Sequence, residues 1–287
     1  MNKYIVLYNP LAQKGHGMEN AKRLEGLLED AEIRYEDLTA IKDYEGYASS
    51  IPADTKVILT GGDGTLSRFV DAVYDMEKLP EILYFPAGSG NDFINDLHKE
   101  KNCMPFPINP YMHGLPTVTV NGETHHFINA VGFGLDGYCC EEHDRLNALG
   151  KDKPYTLIAF LGLIGKFKPA GARVTVDGVT KSYKQAWMLP VMFGGYYGGG
   201  VLMGPKQKRD NLKHDVTSVA IHDIARIPTL FLFLSVCKGK GEKFPKHIDY
   251  RVGRHVIVEY DKPVALQIDG ETVLNVTRFE VQASDEA

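Results

Sequence analysis

The segment Lys56–Thr60 is a short apolar run of strand type. It passes without a spacer into Gly61-Gly62-Asp63-Gly64-Thr65, and Leu66–Tyr74 then takes up helical spacing. Glycine costs backbone entropy wherever it only fills space, so a strand that ends in three of them marks a close approach or an unusual turn. The same succession recurs twice. Tyr4–Tyr8 ends at Asn9-Pro10 and the Gly15…Gly17 turn, with a predicted helix over Met18–Ala31. Glu81–Phe85 leads into Gly88-Ser89-Gly90-Asn91 and a short predicted helix over Asn91–Leu97. With Ile33–Leu38 as a further strand, the alternation predicts a parallel sheet with crossover helices. In an open sheet of this kind the loops after the strands gather at the carboxyl edge, where ligands bind.

Near residue 115 the pattern changes. Thr117–Val120 and Glu123–Val131 flank Asn121-Gly122, and Ala172–Val176 and Val179–Val191 flank Asp177-Gly178. Both read as hairpins, because Asn-Gly and Asp-Gly suit the tight turns that join antiparallel strands. Later strands are predicted at His255–Tyr260, Val264–Ile268 and Val276–Val281, interrupted by helices over Asp136–Leu149, Tyr155–Phe167 and Ile227–Val236. The fold class is therefore an α/β N-terminal domain over residues 1–115, which the glycine loops considered below make a candidate nucleotide-binding domain, followed by an antiparallel β domain over 116–287. The last strand is free in this reading to return to the first domain.

Composition narrows the function. The chain has 287 residues and 29 glycines, with 44% hydrophobic and 24% charged residues and a net charge of −5. These values exclude wholesale disorder, a collagen-like repeat and a basic nucleic-acid coat. Cys103, Cys139, Cys140 and Cys237 show no zinc spacing and read as reduced packing residues of a cytoplasmic protein. The apolar stretches Tyr155–Phe167 and Ile227–Cys237 are shorter than the roughly 20 residues that span a bilayer.

More than half of the glycines fall in five clusters, and three of these follow strands of the first domain. Backbone N–H groups in such loops can approach a phosphate closely, and the helix beyond adds partial positive charge. Asp63 inside the loop suits a metal that neutralises a triphosphate. The other reading of this string is a glycine-rich turn capped by Thr65. It contains no lysine, so it is not a Walker A loop. Asn9-Pro10 through Gly17 is a turn or a second wall of a nucleotide pocket. In the third cluster Asn91 or Asp92 is a helix N-cap, or Ser89 and Gly90 contact phosphate. Gln267-Ile268-Asp269-Gly270-Glu271 is an Asp-Gly hairpin turn, or it presents a general base that accepts a hydroxyl proton during attack on phosphorus.

At these residues the sequence resembles the diacylglycerol kinase catalytic-domain family, which includes bacterial soluble lipid kinases and is related to sphingosine and ceramide kinases. The likeness runs in order through Asn9-Pro10…Gly15…Gly17, Thr39, Gly61–Thr65, Gly88–Phe93, Phe127-Ile128-Asn129…Gly132-Phe133-Gly134-Leu135-Asp136, Gly198–Gly204 and Asp269-Gly270-Glu271. The resemblance implies an NAD kinase-like N-terminal domain and a C-terminal β-sandwich. It implies ATP and Mg2+ held by Asn9, Pro10, Gly15, Thr39, Gly61, Gly62, Asp63, Gly64, Thr65, Leu66, Ser67, Ser89, Gly90 and Asn91. Asp269 would deprotonate a lipid hydroxyl, and Asp63 would help to place magnesium. The candidate metal ligands are Asp63, Asp210, Asp215 and Glu271. One departure concerns an Asp-Asp-Gly-x-Leu-Asp-like segment of bacterial members, which reads Arg209-Asp210-Asn211-Leu212-Lys213-His214-Asp215 here. Asn211 and Leu212 stand where an acid and a glycine are expected. Lys208 and Arg209 are then candidates to do some of the metal's work, or to touch anionic lipid.

The reading that follows is an ATP-dependent lipid kinase acting on diacylglycerol. Its rivals are an NAD kinase-like small-molecule kinase and a non-catalytic nucleotide-binding regulator. The chain lacks the Asn-Glu pair common in NAD kinases. Lys206, Lys208, Arg209 and Lys213, then Lys238, Lys240, Lys243, Lys246, Arg251 and Arg254, flank Ile227–Cys237, which suggests peripheral contact with the inner face of a membrane. A homodimer is compatible with the sequence.

Overall fold

A computed structural model describes residues 2–76, 79–101, 103–151, 153, 155–209 and 215–285. The chain divides into two compact units, Met1–His113 and Gly114–Ala287.

In the first unit the elements are β1 (Asn2–Tyr8), α1 (Ala12–Gly15), α2 (Gly17–Lys22), β2 (Ala31–Asp37), α3 (Tyr44–Ser50), β3 (Thr55–Gly61), α4 (Asp63–Val73), β4 (Ile82–Pro86), α5 (Asp92–Asp96) and β5 (Phe106–Pro107). The sheet order is β2-β1-β3-β4-β5, with the first four strands parallel and β5 antiparallel at the edge. Strand residues are buried in continuous runs, as in β3 and β4, because both faces are covered. Val6, Ile58 and Phe85 pack with Ala21 and Leu24 on one face. Leu7, Val57, Phe69 and Val73 meet Tyr44 and Tyr47 on the other.

Two helices differ from expectation. The predicted helix over Met18–Ala31 stops at Lys22 and tightens into a 3-10 turn over Arg23–Gly26, and Ala31 already opens β2. The Leu24 carbonyl accepts the N–H groups of both Leu27 and Leu28, so the apolar spacing continues through a turn that is no longer α-helical. In α4 the helix begins at Asp63, with Gly62 as its N-cap residue, so Gly64 and Thr65 belong to its first turn rather than to the loop.

The second unit contains β6 (Thr117–Val120), β7 (Glu123–His126), β8 (Ala130–Gly134), α6 (Leu135–Ala148), α7 (Tyr155–Leu161), β9 (Ala170–Val176), β10 (Val179–Met192), β11 (Tyr196–Tyr197), β12 (Val201–Leu202), β13 (Val216–His222), α8 (Arg226–Val236), β14 (Ile248–Gly253), β15 (His255–Ile268) and β16 (Glu271–Gln282). A π-helical turn over Gly162–Lys166 extends α7, so the stretch read as one helix is two. Nine strands form one antiparallel hydrogen-bonded sheet. Its two long strands, β10 and β15, carry register shifts at Ala186/Met188 and Glu259/Val264, the kind of irregularity at which a strand bends to form a corner. β9 pairs with the leading halves of β10 and β15, and β8 pairs with their trailing halves. The helical excursion of α6 and α7 joins the end of β8 to the start of β9. The final strand, β16, pairs with β15 and β6 and stays in this unit.

The hairpin turns have the left-handed backbone that their sequences suggest. Asn121 and Gly122 have φ of 52° and 86°, Asp177 and Gly178 have 48° and 80°, and Asp269 and Gly270 have 46° and 93°. The run read as one strand over Glu123–Val131 is broken at Phe127–Asn129, between β7 and β8.

Candidate functional site

The strand order of the first unit reverses direction between β1 and β3, because β2 lies on one side of β1 and β3 on the other. Outside the carboxyl ends of those strands is the crevice where doubly wound sheets take their ligands. Four sequence-predicted loops follow β1, β2, β3 and β4 at this edge.

The loops after β3 and β4 touch through backbone alone. A Cβ placed on Gly88 would lie 2.5 Å from the Gly62 Cα, and one on Gly62 would lie 3.1 Å from the Gly88 Cα. Gly61 is needed for a different reason: its Cβ would fall 2.5 Å from that of Thr65, whose buried side chain closes over it. The Gly61 carbonyl accepts the Ala87 N–H at 2.8 Å and the Tyr84 hydroxyl at 3.0 Å. Tyr84, a brace that sequence reasoning missed, is fully buried, and burial holds its phenol well above its ordinary pKa. In the loop after β1, a Cβ on Gly17 would strike the Asn9 carbonyl oxygen, and Asn9 Oδ1 accepts the Leu11 N–H at 2.9 Å. Gly15 has φ of 91°.

Asp63 is the main finding in this unit. Its Oδ2 accepts the Asp92 N–H at 3.0 Å and its Oδ1 accepts the Phe93 N–H at 2.9 Å. These are the first N–H groups of α5, so a residue 29 positions away caps that helix. Asn91 occupies the N-cap position with φ of 57°, but its side chain turns back to donate to the Gly88 carbonyl at 2.9 Å. Neither Asn91 nor Asp92 is therefore the side-chain cap that the sequence suggested, because Asp63 has taken the donors. Likewise Thr65 does not cap α4; it lies inside the first turn.

The remaining predicted residues here have defined surroundings. Thr39 donates from both N–H and Oγ1 to Asp37 Oδ1, at 2.8 and 2.7 Å. The exposed Ser89 accepts Lys101 Nζ on its carbonyl. Leu66 and Ser67 are buried, Leu66 as part of the core, so its backbone rather than its side chain is available to a ligand. Pro10, Gly64 and Gly90 lie in or beside the same loops. Two buried polar atoms at this edge, Thr60 Oγ1 and Asn91 Oδ1, have no hydrogen-bond partner. Of the two, the Thr60 hydroxyl can donate to an anionic ligand such as a nucleotide phosphate, whereas the Asn91 amide oxygen only accepts and calls for an N–H or O–H donor.

In the second unit, three separated motifs, around Asp269, Phe193-Gly194 and Arg209, meet on the peptide segment 128–130. Asp269 Oδ2 accepts the Ile128 N–H at 2.6 Å, and Oδ1 accepts those of Asn129 and Ala130 at 2.8 and 2.9 Å. The Asn129 carbonyl accepts the N–H groups of Phe193 and Gly194, which open the long glycine stretch. The buried Arg209 donates to the Ile128 carbonyl and, at 2.8 Å, to Asn129 Oδ1, and it lies over the Phe193 ring. Gln267 Oε1 accepts the Gly270 N–H at 2.9 Å and so fixes the turn that carries Asp269. Replacing Asp269 by Asn cannot leave the fold untouched, because an amide nitrogen would then face backbone N–H donors that need an acceptor.

Asp136 lies in the first turn of α6, at the end of the Gly132–Asp136 motif. It is buried, and loss of solvation pushes its pKa up to about 7 against the smaller opposing pull of the Gly137 and Asp136 backbone N–H groups. A Cβ on Gly132 would lie 2.6 Å from its Oδ2, so that glycine makes room for it.

Of the candidate metal ligands, Asp210 lies outside the described residues. The Asp215 carboxylate is 3.9 Å from the Arg254 guanidinium, and Glu271 opens β16 opposite Ile268. Among the described residues no group of three or more His, Cys, Asp or Glu side chains is arranged to hold a metal.

Comparison with known proteins agrees with this division. The profile of the diacylglycerol kinase catalytic domain matches residues 3–113, and that of the YegS C-terminal NAD kinase beta sandwich-like domain matches residues 129–282. The diacylglycerol kinase of Bacillus subtilis is 23% identical over 296 residues, covering 94% of this chain and 90% of its own. That of Staphylococcus aureus (strain MRSA252) is 24% identical over 287 residues, covering 93% and 85%. A solved structure from Bacillus anthracis str. Sterne has a TM-score of 0.65 at 20% identity, covering 98% of this chain and 92% of that one. A diacylglycerol kinase structure from the same strain gives 0.58 at 16%, covering 99% and 94%. Two adjoining profiles, one for each unit, thus account for nearly all of the sequence, and the chain belongs to the diacylglycerol kinase catalytic-domain family of lipid kinases.

Proposed function

We propose that this chain transfers the γ-phosphate of ATP to the free hydroxyl of diacylglycerol, yielding phosphatidate and ADP. The observation that carries the donor half is the Gly62–Gly88 backbone contact beside the orphaned Thr60 hydroxyl, at the carboxyl edge of a sheet with reversed strand order. The acceptor half draws support from the names of the Bacillus subtilis and Staphylococcus aureus relatives.

In this reading the loops at Asn9, Thr39, Gly61–Ser67 and Ser89–Asn91 hold the nucleotide. Asp63 fixes the position of α5 against the phosphate loop. Magnesium enters as part of the Mg-ATP substrate and, when bound, supplies neutralisation of triphosphate charge. Asp269 orients the acceptor hydroxyl and takes its proton as that oxygen bonds to phosphorus and the bond to ADP breaks. The three N–H donors of residues 128–130 fix the direction in which its oxygens point. Arg209 holds that segment from its other side.

The test is phosphate transfer from γ-labelled ATP with diacylglycerol in mixed micelles, and with NAD as the competing acceptor. Label in the lipid extract is expected. Label on NAD instead, or ATP binding with no transfer to any lipid, overturns the proposal.

A further inference from the structure

Helix α8 has apolar residues on two faces. Thr229, Leu232 and Val236 are buried, and Leu232 and Val236 join the core of the second unit. Ile227, Phe231 and Leu234 recur at intervals of four and three on the opposite side and are 70%, 69% and 61% exposed. A helix with apolar residues all round is ordinarily buried all round. The same arrangement occurs in α7 and its π-helical extension. Ile158 and Leu163 enter that same core, while Leu157, Phe160 and Ile164, again on one helical face, are exposed.

The two helices are joined physically. The Arg226 guanidinium, at the start of α8, donates to the carbonyls of Gly162, Leu163 and Phe167. Both pack their inner faces on one core, which leaves two apolar stripes outside. Beside α8 an apolar groove of about 530 Å³ is lined by Ile227, Pro228, Phe231, Phe244 and His247 among others.

Charge identifies the occupant. Exposed lysines follow each stripe: Lys166 and Lys168 after α7, and Lys238, Lys240, Lys243 and Lys246 after α8. The acids nearby are engaged: Glu242 pairs with Lys206 at 2.7 Å, and Asp223 accepts the Gln185 N–H. We propose that the outer faces of α7 and α8 form a docking surface for an anionic phospholipid bilayer. The two stripes enter the acyl boundary and the lysines meet the headgroups. Apolar insertion with a cationic rim is the physical signature of interfacial membrane binding. Neither helix is long and apolar enough to cross a membrane, so the contact is peripheral.

The experiment is sedimentation of the full chain with vesicles of pure phosphatidylcholine and of phosphatidylcholine with phosphatidylglycerol. No ATP or diacylglycerol is present, so failure here leaves the kinase proposal standing, and failure of that proposal leaves this one. Binding to the anionic vesicles and little to the neutral ones is expected. Phe231→Asp and Phe160→Asp should each weaken it by at least about tenfold, since a buried aromatic side chain contributes that much to partition. Lys238→Glu with Lys240→Glu should weaken it by about tenfold or more. Melting temperatures should stay unchanged, because the replaced side chains are exposed. The proposal is overturned if wild-type binding ignores lipid charge. It also fails if Phe231→Asp and Phe160→Asp bind as wild type does, or if they alter only the sedimentation coefficient in lipid-free solution, which would make the stripes a contact between two copies.

Discussion

Asp269 and Ala130 are tied to each other in both directions. The Asp269 N–H donates to the Ala130 carbonyl at 2.9 Å, and the Ala130 N–H donates back to Asp269 Oδ1 at 2.9 Å. The hairpin turn between β15 and β16 is thereby locked to the start of β8. The same carboxylate therefore has two duties, to hold this junction and, in the proposed reaction, to accept a proton.

The two duties separate by experiment. Asp269→Asn keeps one acceptor oxygen, and Asp269→Ala leaves three N–H groups without one. Thermal stability should fall in the order wild type, Asn, Ala, with about 1–3 kcal/mol lost for an unsatisfied buried donor. Turnover should fall by about 10²–10⁴-fold in both, the usual contribution of a positioned base. Near-normal turnover in the Asn variant, at whatever stability, would remove Asp269 from the chemistry.

Asp63 should behave as a helix cap that acts at a distance. Asp63→Ala removes both acceptors from the start of α5 and should cost about 1–2 kcal/mol, measured by urea denaturation. Asp63→Asn retains one acceptor and should cost less. If Asp63 also serves Mg-ATP, the Asn variant will need more magnesium for half-maximal activity while remaining nearly as stable as wild type.

Gly88→Ala should force the phosphate loops apart, because its Cβ would lie 2.5 Å from the Gly62 Cα. ATP affinity should drop by at least about tenfold, or ~1.4 kcal/mol. Gly26→Ala, where a Cβ meets nothing within 4 Å, is the matched control and should leave affinity unchanged. Equal affinities in calorimetric titrations of the two variants would refute the loop contact.

Asp136 should make stability depend on pH. Its carboxyl titrates at about 7 when folded, against an ordinary 3.8, so between these values the folded chain holds the extra proton. Its contribution is most favourable below that window and is lost as pH rises through it, at up to about 1.4 kcal/mol per pH unit. Asp136→Asn should show no such decline and should exceed wild type in stability at pH 8. A wild-type stability that rises relative to the variant from pH 5 to pH 8 would contradict this.

What the sequence revealed, and what it hid, follows from the range of each interaction. The glycine loops after β1, β3 and β4 were legible because strand, turn and helix signals adjoin in the chain. The hairpin turns at Asn121, Asp177 and Asp269 were legible for the same reason, since a left-handed residue pair has a local signature. Asp63 as the cap of α5 and Arg209 as the brace of segment 128–130 were not, because their partners lie 29 and about 80 residues away and leave no periodic trace. The early end of α2 was hidden by leucine spacing that serves a 3-10 turn as well as an α-helix. Asp136 carried a weak signal, an acid directly after the apolar and glycine-rich Gly132–Leu135 stretch.

The hydrogen bonds from Ile128, Asn129 and Ala130 to Asp269 span about 140 residues. During synthesis those N–H groups are made long before their acceptor leaves the ribosome. The junction at β8 has to wait for the C-terminal hairpin. A chain stalled before residue 269 therefore carries the three N–H donors of segment 128–130 without the carboxylate that receives them.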